Sequence, residues 1–291
     1  MARSFDTFDL IEAQRRLVAL MQARPHLGAR LTVRETLQTY DQRAVFDIDW
    51  DGQRAIAKLI WHDNRAPAVS QQSAALKRMA ARLTPPAFVP EVLHIAPKAG
   101  LFIISYAEGE TALNLMKKAD RATAERVVEA ARIWQEAATK ERHIAPLPRA
   151  RIARQIAALP TNEDPLTRWL RARLDAAPEA LTHVPGHGDF WSGNLILDGD
   201  RITAIDLGPQ QQMPLINDLA RFARSLLQHC PEAQNTPPWS SDLLAPLLSL
   251  LETEEDRNSF PLIYGVELAR WRAGLVDIHD ADPMVTALLS A

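Results

Sequence analysis

A polar signature set among apolar runs constrains the fold of this chain more than any other feature. The signature begins with His187 and Asp189, continues with Asn194 and ends with Asp206. Asp, Asn and Gly are ordinary residues of surface turns, and a surface loop is the alternative interpretation of such a segment. A surface loop does not explain the strand-like apolar stretches around these acids, so the segment predicts ordered backbone here.

Two short strands are predicted within this signature. Residues 194–198 and 202–207 alternate between apolar and other side chains, as strand residues do. Gly, Asp and Arg at positions 199–201 favour a hairpin turn between them. Such a hairpin would bring Asp206 back beside Asn194, so that both side chains could face the same metal ions.

An Asp, an Asn and a second Asp in this order are the groups that phosphoryl transfer needs. One carboxylate orients the attacking hydroxyl, while an amide oxygen and another carboxylate hold the metal ions that neutralise the phosphates. Protein kinases carry these groups as His-Arg-Asp, a following Asn and then Asp-Phe-Gly. In this chain Asp-Leu-Gly at residues 206–208 stands in the last position.

The signature resembles that of the aminoglycoside phosphotransferase and choline kinase family. The resemblance is carried by His-Gly-Asp at 187–189, Asn194, Ile-Asp at 205–206 and Asp-Leu-Ala at 218–220. It extends over about residues 30–230 and is most specific in the signature itself.

The resemblance implies a role for each of these residues. Asp189 matches the catalytic base, and Asn194 and Asp206 match the magnesium ligands. His187 and Asp218 match residues that brace the catalytic loop. ATP and Mg²⁺ are therefore the implied cofactors, and a hydroxyl group of a small molecule is the implied acceptor.

The same resemblance implies an α+β, protein-kinase-like fold of two lobes. The expected lobes are an antiparallel-sheet N-lobe with a leading helix at 1–106 and a mainly helical C-lobe at 107–291. Hydrophobic periodicity agrees with this order. It predicts helices at 8–23, 68–83, 215–230 and from 242 onwards, and strands within 31–60 and 89–105. From 120 to 180 it predicts a helical pattern that prolines interrupt at positions 146, 148, 160 and 165.

Lys58 is the expected phosphate-binding residue of the N-lobe. Ala-Ile-Ala-Lys at 55–58 resembles the Val-Ala-Ile-Lys strand of kinases, although a solvated strand Lys is the plainer alternative. The Glu that usually pairs with this Lys is missing, because no acidic residue lies between Asp63 and Glu91. Gln72 is the nearest positional match, and its amide would accept a hydrogen bond without supplying charge.

The adenine of the nucleotide is expected to meet backbone groups after the strand that ends near residue 105. By resemblance, the carbonyl of Ser105 and the amide of Ala107 would bind it. A simple strand-to-helix turn is the alternative, because backbone donors and acceptors leave no residue signature.

The loop expected to cover the phosphates contains no glycine. It is predicted at residues 38–43, between two strands, and reads Gln-Thr-Tyr-Asp-Gln-Arg. Glycine normally lets backbone amides approach phosphates closely. Either the side chains of Thr39 and Gln42 replace those amides, with Arg43 nearby, or the triphosphate binds weakly.

Composition limits the class of protein and its partners. A net charge of −3 gives no basic footprint for nucleic acid, and no apolar run is long enough for a membrane span. The single cysteine, Cys230, excludes an internal disulfide framework. With no signal-peptide pattern at residues 1–9, we expect a cytoplasmic enzyme that is a monomer or homodimer.

The acceptor is less well determined than the chemistry. Glu267 and Trp271 recur at helical spacing and could offer an anion and an indole, although packing of Trp271 is the alternative. Acidic residues from Asp277 to Asp282 could add to such a pocket or form a polar turn before Pro283. Phe190 and Trp191 in the catalytic loop are expected to pack, although stacking on a substrate is the alternative.

Two functions follow from this sequence. The first is an ATP- and magnesium-dependent kinase for a small molecule, because only about ten residues separate Asp206 from Asp218 and leave no long activation loop. The alternative is a pseudokinase or nucleotide-sensing regulatory module, suggested by the missing glycines and the missing Glu. The retained base and metal ligands favour the enzyme.

Overall fold

A computed structural model of the chain describes residues 7–40, 42–117, 120–160, 164–208, 212–275 and 282–290. The chain divides into two compact units. The first unit comprises Met1–Arg82 and Val89–Glu108, and the second comprises Leu83–Phe88 and Gly109–Ala291.

The elements are numbered along the chain. The helices are α1 (Thr7–Ala23), α2 (Pro25–Gly28), α3 (Arg65–Ala80), α4 (Ala112–Met116), α5 (Arg121–Ala138), α6 (Arg149–Ala157), α7 (Pro165–Asp175), α8 (Leu215–Leu227), α9 (Pro231–Gln234), α10 (Ala245–Leu248), α11 (Glu254–Arg272) and α12 (Asp282–Leu289). The strands are β1 (Leu31–Tyr40), β2 (Arg43–Trp50), β3 (Gln53–Ile60), β4 (Ala87–Phe88), β5 (Val92–Ala96), β6 (Leu101–Ser105), β7 (Glu110–Thr111), β8 (His143–Pro146), β9 (Ala180–Pro185), β10 (Leu195–Asp198), β11 (Arg201–Ala204) and β12 (Gln212–Pro214).

The first unit is built on an antiparallel sheet in the order β1-β2-β3-β6-β5. Alternating residues of β2 supply its core, since Phe46 and Ile48 are fully buried. Asp51 and Gly52 both have positive φ angles, which a tight hairpin turn between β2 and β3 requires. The predicted α+β fold with an antiparallel N-terminal sheet is therefore confirmed, as is the leading helix.

The extent predicted for the glycine-free loop, residues 38–43, is wrong. Strand pairing continues through Thr39 with Ala44 to Tyr40 with Arg43, so only a tight turn connects β1 to β2. Arg43 lies over the ring of Tyr40 at 4.3 Å, which stabilises the last pair of the ladder. Gln42 takes a positive φ of 60° in the turn, and Asp41 lies outside the described residues.

The second unit contains two small sheets, in the orders β4-β11-β10-β7 and β12-β9-β8. β10 and β11 form the predicted hairpin, with Leu195 opposite Ala204 and a positive φ at Gly199 in the turn. Helix α8 presents Leu219 and Phe222 to the core and packs against α11. None of the described helices combines the length and apolar character needed to cross a membrane.

The helical pattern predicted for 120–180, with interruptions only at its prolines, is wrong at β8. His143–Pro146 is a strand that pairs antiparallel with β9, which itself begins at Ala180. Four residues are too few to establish a periodicity, and the strand partner lies far away in sequence.

Candidate active site

The buried carboxylate of Asp218 anchors the loop that follows β9. Its Oδ2 accepts a hydrogen bond from the His187 backbone amide at 2.6 Å, and its Oδ1 accepts one from the Gly188 amide at 3.1 Å. Burial raises the pKa of Asp218 to about 6, even though these donors and the charge of Arg221 act in the opposite direction. Helix α8 thus holds the loop through one side chain of its first turn.

The imidazole of His187 connects this loop to the end of β11. It is fully buried, and its Nε2 lies 2.9 Å from the carbonyl oxygen of Ile205. Its Nδ1 accepts from the Asp189 amide at 3.2 Å, so the proton belongs on Nε2. The Gly208 amide returns a hydrogen bond to the His187 carbonyl at 2.9 Å. The loop and the Asp-Leu-Gly segment are therefore joined on both sides of Asp206.

Asn194 fixes the other end of the loop beside Asp189. Its Nδ2 donates to the Asp189 carbonyl at 2.9 Å and to the Asp189 Oδ2 at 3.2 Å. Its own carbonyl accepts from the Ile205 amide at 2.9 Å. Because its amide nitrogen makes both side-chain bonds, the side-chain oxygen of Asn194 is the atom left for a cation.

Arg221 is a site residue that the sequence reasoning missed. Its Nη1 donates to Asp189 Oδ1 and to the Gly188 carbonyl, each at 2.9 Å. Its Nε and Nη2 form a fork with the Glu267 carboxylate at 3.1 and 3.0 Å. Arg221 lies one helical turn after Asp218, which is a signal that could have found it.

Charge pairing decides the protonation of Arg221 and Glu267. Burial by itself raises the pKa of Glu267, yet the hydrogen bonds and charge of Arg221 hold that pKa below its usual value. Burial likewise lowers the pKa of Arg221, but Glu267, Asp189 and Asp218 outweigh it and the pKa is raised. Both groups are therefore ionised, and Asp189 receives one arm of a fixed guanidinium.

Asp206 has an unusual backbone for a residue with a side chain. Its φ is +58°, in the left-handed region that non-glycine residues seldom adopt. Its side chain is exposed, and the hydrogen bonds on either side of it hold this conformation. Strain of this kind is often kept where it positions a functional group.

The oxygen donors near Asp206 fit Mg²⁺. Asn194 and Asp206 supply an amide oxygen and a carboxylate, which are hard ligands. No cluster of three or more His, Cys, Asp or Glu suited to a metal occurs in the described part of the chain. Mg²⁺ usually takes only one or two carboxylates and completes its shell with phosphate and water, so this donor set suits it.

Aromatic packing supports the loop from beneath. Phe190 is fully buried and stacks on Trp134 and Phe222 at centroid distances of 5.3 and 5.1 Å. The prediction that Phe190 packs rather than binds substrate is confirmed. Trp191, the next residue, instead lines a cavity beside Asp189.

That cavity has a volume of about 460 Å³, and its remaining lining residues come from α8, from Gln228 directly after α8 and from α11. Trp271 lines it, as one of the two sequence interpretations allowed. Glu267 is not available as a free anion for the acceptor, because Arg221 and Arg270 both bind its carboxylate. Residues Asp277 to Asp280 lie outside the described residues.

The nucleotide candidates lie in the first unit. Lys58 is half-buried on β3, opposite Val45 and Phe102. Gln72 lies on α3, and its Oε1 is buried without a hydrogen-bond partner among the described residues, so its pairing with Lys58 stays a prediction.

The two backbone candidates for adenine also lie in this unit. Ser105 ends β6, and its hydroxyl accepts from the Glu91 amide at 2.9 Å. Ala107 lies after β6 and outside any strand or helix, which agrees with the turn expected there.

Comparison with known sequences gives one family match. A family described as a phosphotransferase enzyme family matches residues 32–258. No curated protein matches the chain significantly in sequence.

Several solved structures share the fold. The GDP complex of aminoglycoside 2′-phosphotransferase-IIIa has a TM-score of 0.63 and 12% identity, over 95% of this chain and 97% of that one. A choline/ethanolamine kinase family protein from Mesorhizobium loti has a TM-score of 0.61 and 16% identity, over 96% and 94%. A mutant of aminoglycoside phosphotransferase APH(4)-Ia in complex with ADP and hygromycin B has a TM-score of 0.57 and 15% identity, over 92% of this chain and 94% of that one.

Proposed function

Because this chain belongs to the phosphotransferase enzyme family, we propose that it transfers the γ-phosphate of ATP to a hydroxyl group of a small molecule, with Mg²⁺. Structural neighbours bound to GDP and to ADP support a nucleotide as the donor. The acceptor classes to test are aminoglycoside-like, amino-alcohol-like and sugar-like compounds.

The position of Asp189 carries this proposal. Its carboxylate is about half exposed at 51% and lines the cavity, while Arg221 and Asn194 hold one oxygen each. A carboxylate fixed in this way can align an acceptor hydroxyl and take its proton. The hydroxyl oxygen then bonds to the γ-phosphorus, the bond to the β–γ bridging oxygen breaks, and ADP leaves.

Asn194 and Asp206 are the residues that would hold Mg²⁺. When bound, the ion would supply positive charge against the phosphate oxygens. The hydrogen bond from the Ile205 amide to the Asn194 carbonyl joins the two segments that carry these donors and supports this assignment.

Residues of the first unit are assigned to the nucleotide in this proposal. The ammonium of Lys58 would bind the phosphates, and the Ser105 carbonyl and Ala107 amide would bind the adenine. Gln72 would orient Lys58 by accepting a hydrogen bond at its Oε1, which has no partner among the described residues, and it would add no charge.

The test replaces Asp189 with Asn, which keeps the shape of the side chain and removes its charge. Turnover of ATP with aminoglycosides, amino alcohols and sugars should fall by at least about 100-fold, while nucleotide affinity stays the same. Asp198→Asn is the matched control, since Asp198 is an exposed residue at the end of β10, and it should change turnover by less than about twofold. Unchanged turnover in Asp189→Asn would contradict the assignment.

A further inference from the structure

The cavity beside Asp189 carries more positive than negative charge. Its lining contains three guanidinium groups, from Arg221, Arg224 and Arg270, and two carboxylates, from Asp189 and Glu267. An acceptor rich in amino groups would therefore meet an unfavourable electrostatic field here. This is the reverse of the acidic lining that Glu267 suggested in the sequence.

Two of the three guanidinium groups are neutralised within the protein. Arg221 pairs with both Asp189 and Glu267 at 2.9 and 3.0 Å. Arg270 pairs with Glu267 at 3.0 Å from the adjacent turn of α11. The two carboxylates of the cavity are thus already engaged by these two arginines.

Arg224 has no such partner. It forms no salt bridge with any described residue, and its only hydrogen bond within the described part of the chain runs from Nη1 to the Gln228 side chain at 2.8 Å. Its Nε is buried without an acceptor, and burial lowers the pKa of Arg224. A largely buried guanidinium that forms no salt bridge is costly even with Glu267 and Asp189 in its surroundings, so this position suits an anion supplied by a ligand.

Arg224 also lies where a substrate would be held against an aromatic surface. Its Cζ is 5.6 Å from the centroid of the Trp271 ring, and Trp191 and Asp189 line the same cavity. A ligand that fills this cavity would therefore meet the Asp189 carboxylate, an indole surface and an unneutralised guanidinium together.

We infer that the acceptor carries an anionic group, a carboxylate or a phosphate, which pairs with Arg224 while its hydroxyl faces Asp189. This inference rests on the proposed function and narrows its acceptor from small hydroxyl compounds in general to anionic ones. The transfer step is the one given above, and the anion of the acceptor takes no part in bond making.

Matched acceptors of different charge test this inference. The first set is glucose, glucuronate, glucose 6-phosphate and glucosamine, and the second is glycerol, glycerate, glycerol 3-phosphate and serinol. Acceptor-dependent ATP turnover and binding to the Asp189→Asn variant are measured for each compound. We expect the carboxylate or the phosphate member to exceed its neutral partner, and the comparison of those two members identifies the anion.

Arg224→Gln supplies the second arm. It should lower kcat/KM for the preferred anionic acceptor by about 10- to 100-fold and for its neutral partner by less than about threefold. Arg270→Gln is the matched control, since it removes a charge from the same cavity that Glu267 already pairs, and its effect should be several-fold smaller. Arg224→Lys keeps the charge and should retain more activity than Arg224→Gln.

Stability separates a binding role from a structural one. Removing a largely buried cation that forms no salt bridge should leave the melting temperature of Arg224→Gln equal to or above that of the wild type. A fall in melting temperature with equal losses for anionic and neutral acceptors would assign Arg224 to the fold and overturn the inference.

Other outcomes also decide the matter. Equal losses in Arg224→Gln and Arg270→Gln, or anionic compounds that neither bind nor react better than neutral ones, overturn the inference. If cationic members are phosphorylated best and turnover still needs Asp189, the proposed function stands while the anionic acceptor fails. If no compound of any charge is phosphorylated and Asp189→Asn does not alter ATP turnover, both fail.

Discussion

At the scale of single residues, Asp218 controls the loop that carries Asp189. Its two carboxylate oxygens hold the backbone amides of His187 and Gly188, and it lies one helical turn before Arg221. Burial raises its pKa to about 6 from an ordinary value of 3.8. Between these two values the folded protein binds more protons at this site than the unfolded chain does.

The pH dependence of folding stability should reveal this shift. Because the pKa is raised in the folded state, the stability from this group is greatest below about pH 4 and decreases as the pH rises through 6. From pH 4 to 7, the unfolding free energy of the wild type should fall relative to Asp218→Asn by up to about 3 kcal/mol. Urea unfolding at several pH values gives the unfolding free energy of both proteins. If that of the wild type rises with pH relative to that of Asp218→Asn, the prediction is wrong.

At the scale of elements, β10 depends on a close approach of backbone from the strand beside it. β7 pairs with β10, and Gly109 immediately before β7 has a φ of +113°. A Cβ atom at Gly109 would lie 2.3 Å from the carbonyl oxygen of Leu197. Only glycine allows this approach, and β10 begins directly after Asn194.

Gly109→Ala should therefore destabilise the protein much more than a change at another positive-φ glycine. Gly199 in the β10–β11 turn has a φ of +55°, and a methyl group added there would have nothing within 4 Å, so Gly199→Ala costs only backbone strain of about 1 kcal/mol. We expect Gly109→Ala to cost at least about 3 kcal/mol, because strain and a steric clash add. Denaturant unfolding of the two variants compares them, and equal losses would contradict the clash.

At the scale of the whole molecule, nucleotide binding should appear as added stability. A ligand that binds only the folded state at 100 times its Kd stabilises it by about 2.7 kcal/mol. For a chain of 291 residues this raises the melting temperature by about 4 °C. We expect this shift with ATP and Mg²⁺ together and a smaller one once EDTA is added.

Asp206→Asn is the control for that experiment. Asn tolerates the left-handed backbone found at position 206, so the variant should fold as the wild type does. Its loss of a carboxylate should reduce the magnesium-dependent part of the melting shift. If the melting shift of the wild type with ATP and Mg²⁺ is the same with and without EDTA, Asp206 and Asn194 do not hold the ion.

Local patterns in the sequence, together with the family resemblance of the signature, were sufficient for the fold class and for part of the site. The β10–β11 hairpin, the β2–β3 turn and helix α8 were predicted because apolar periodicity and turn residues act over a few positions. The order of Asp189, Asn194 and Asp206 was likewise sufficient to indicate phosphoryl transfer. These features need only neighbouring residues, so one sequence reveals them.

Tertiary structure decided the charges that line the cavity beside Asp189. The pairing of Arg221 with Glu267 joins residues 46 positions apart. Likewise, β8 pairs with β9, which lies far along the chain from it. Contacts between distant segments leave no periodic signal, because each partner looks like an ordinary charged or apolar residue in its own segment. The sequence by itself therefore determined the reaction type, while only the tertiary structure showed that Glu267 is neutralised and that the charge of Arg224 is not.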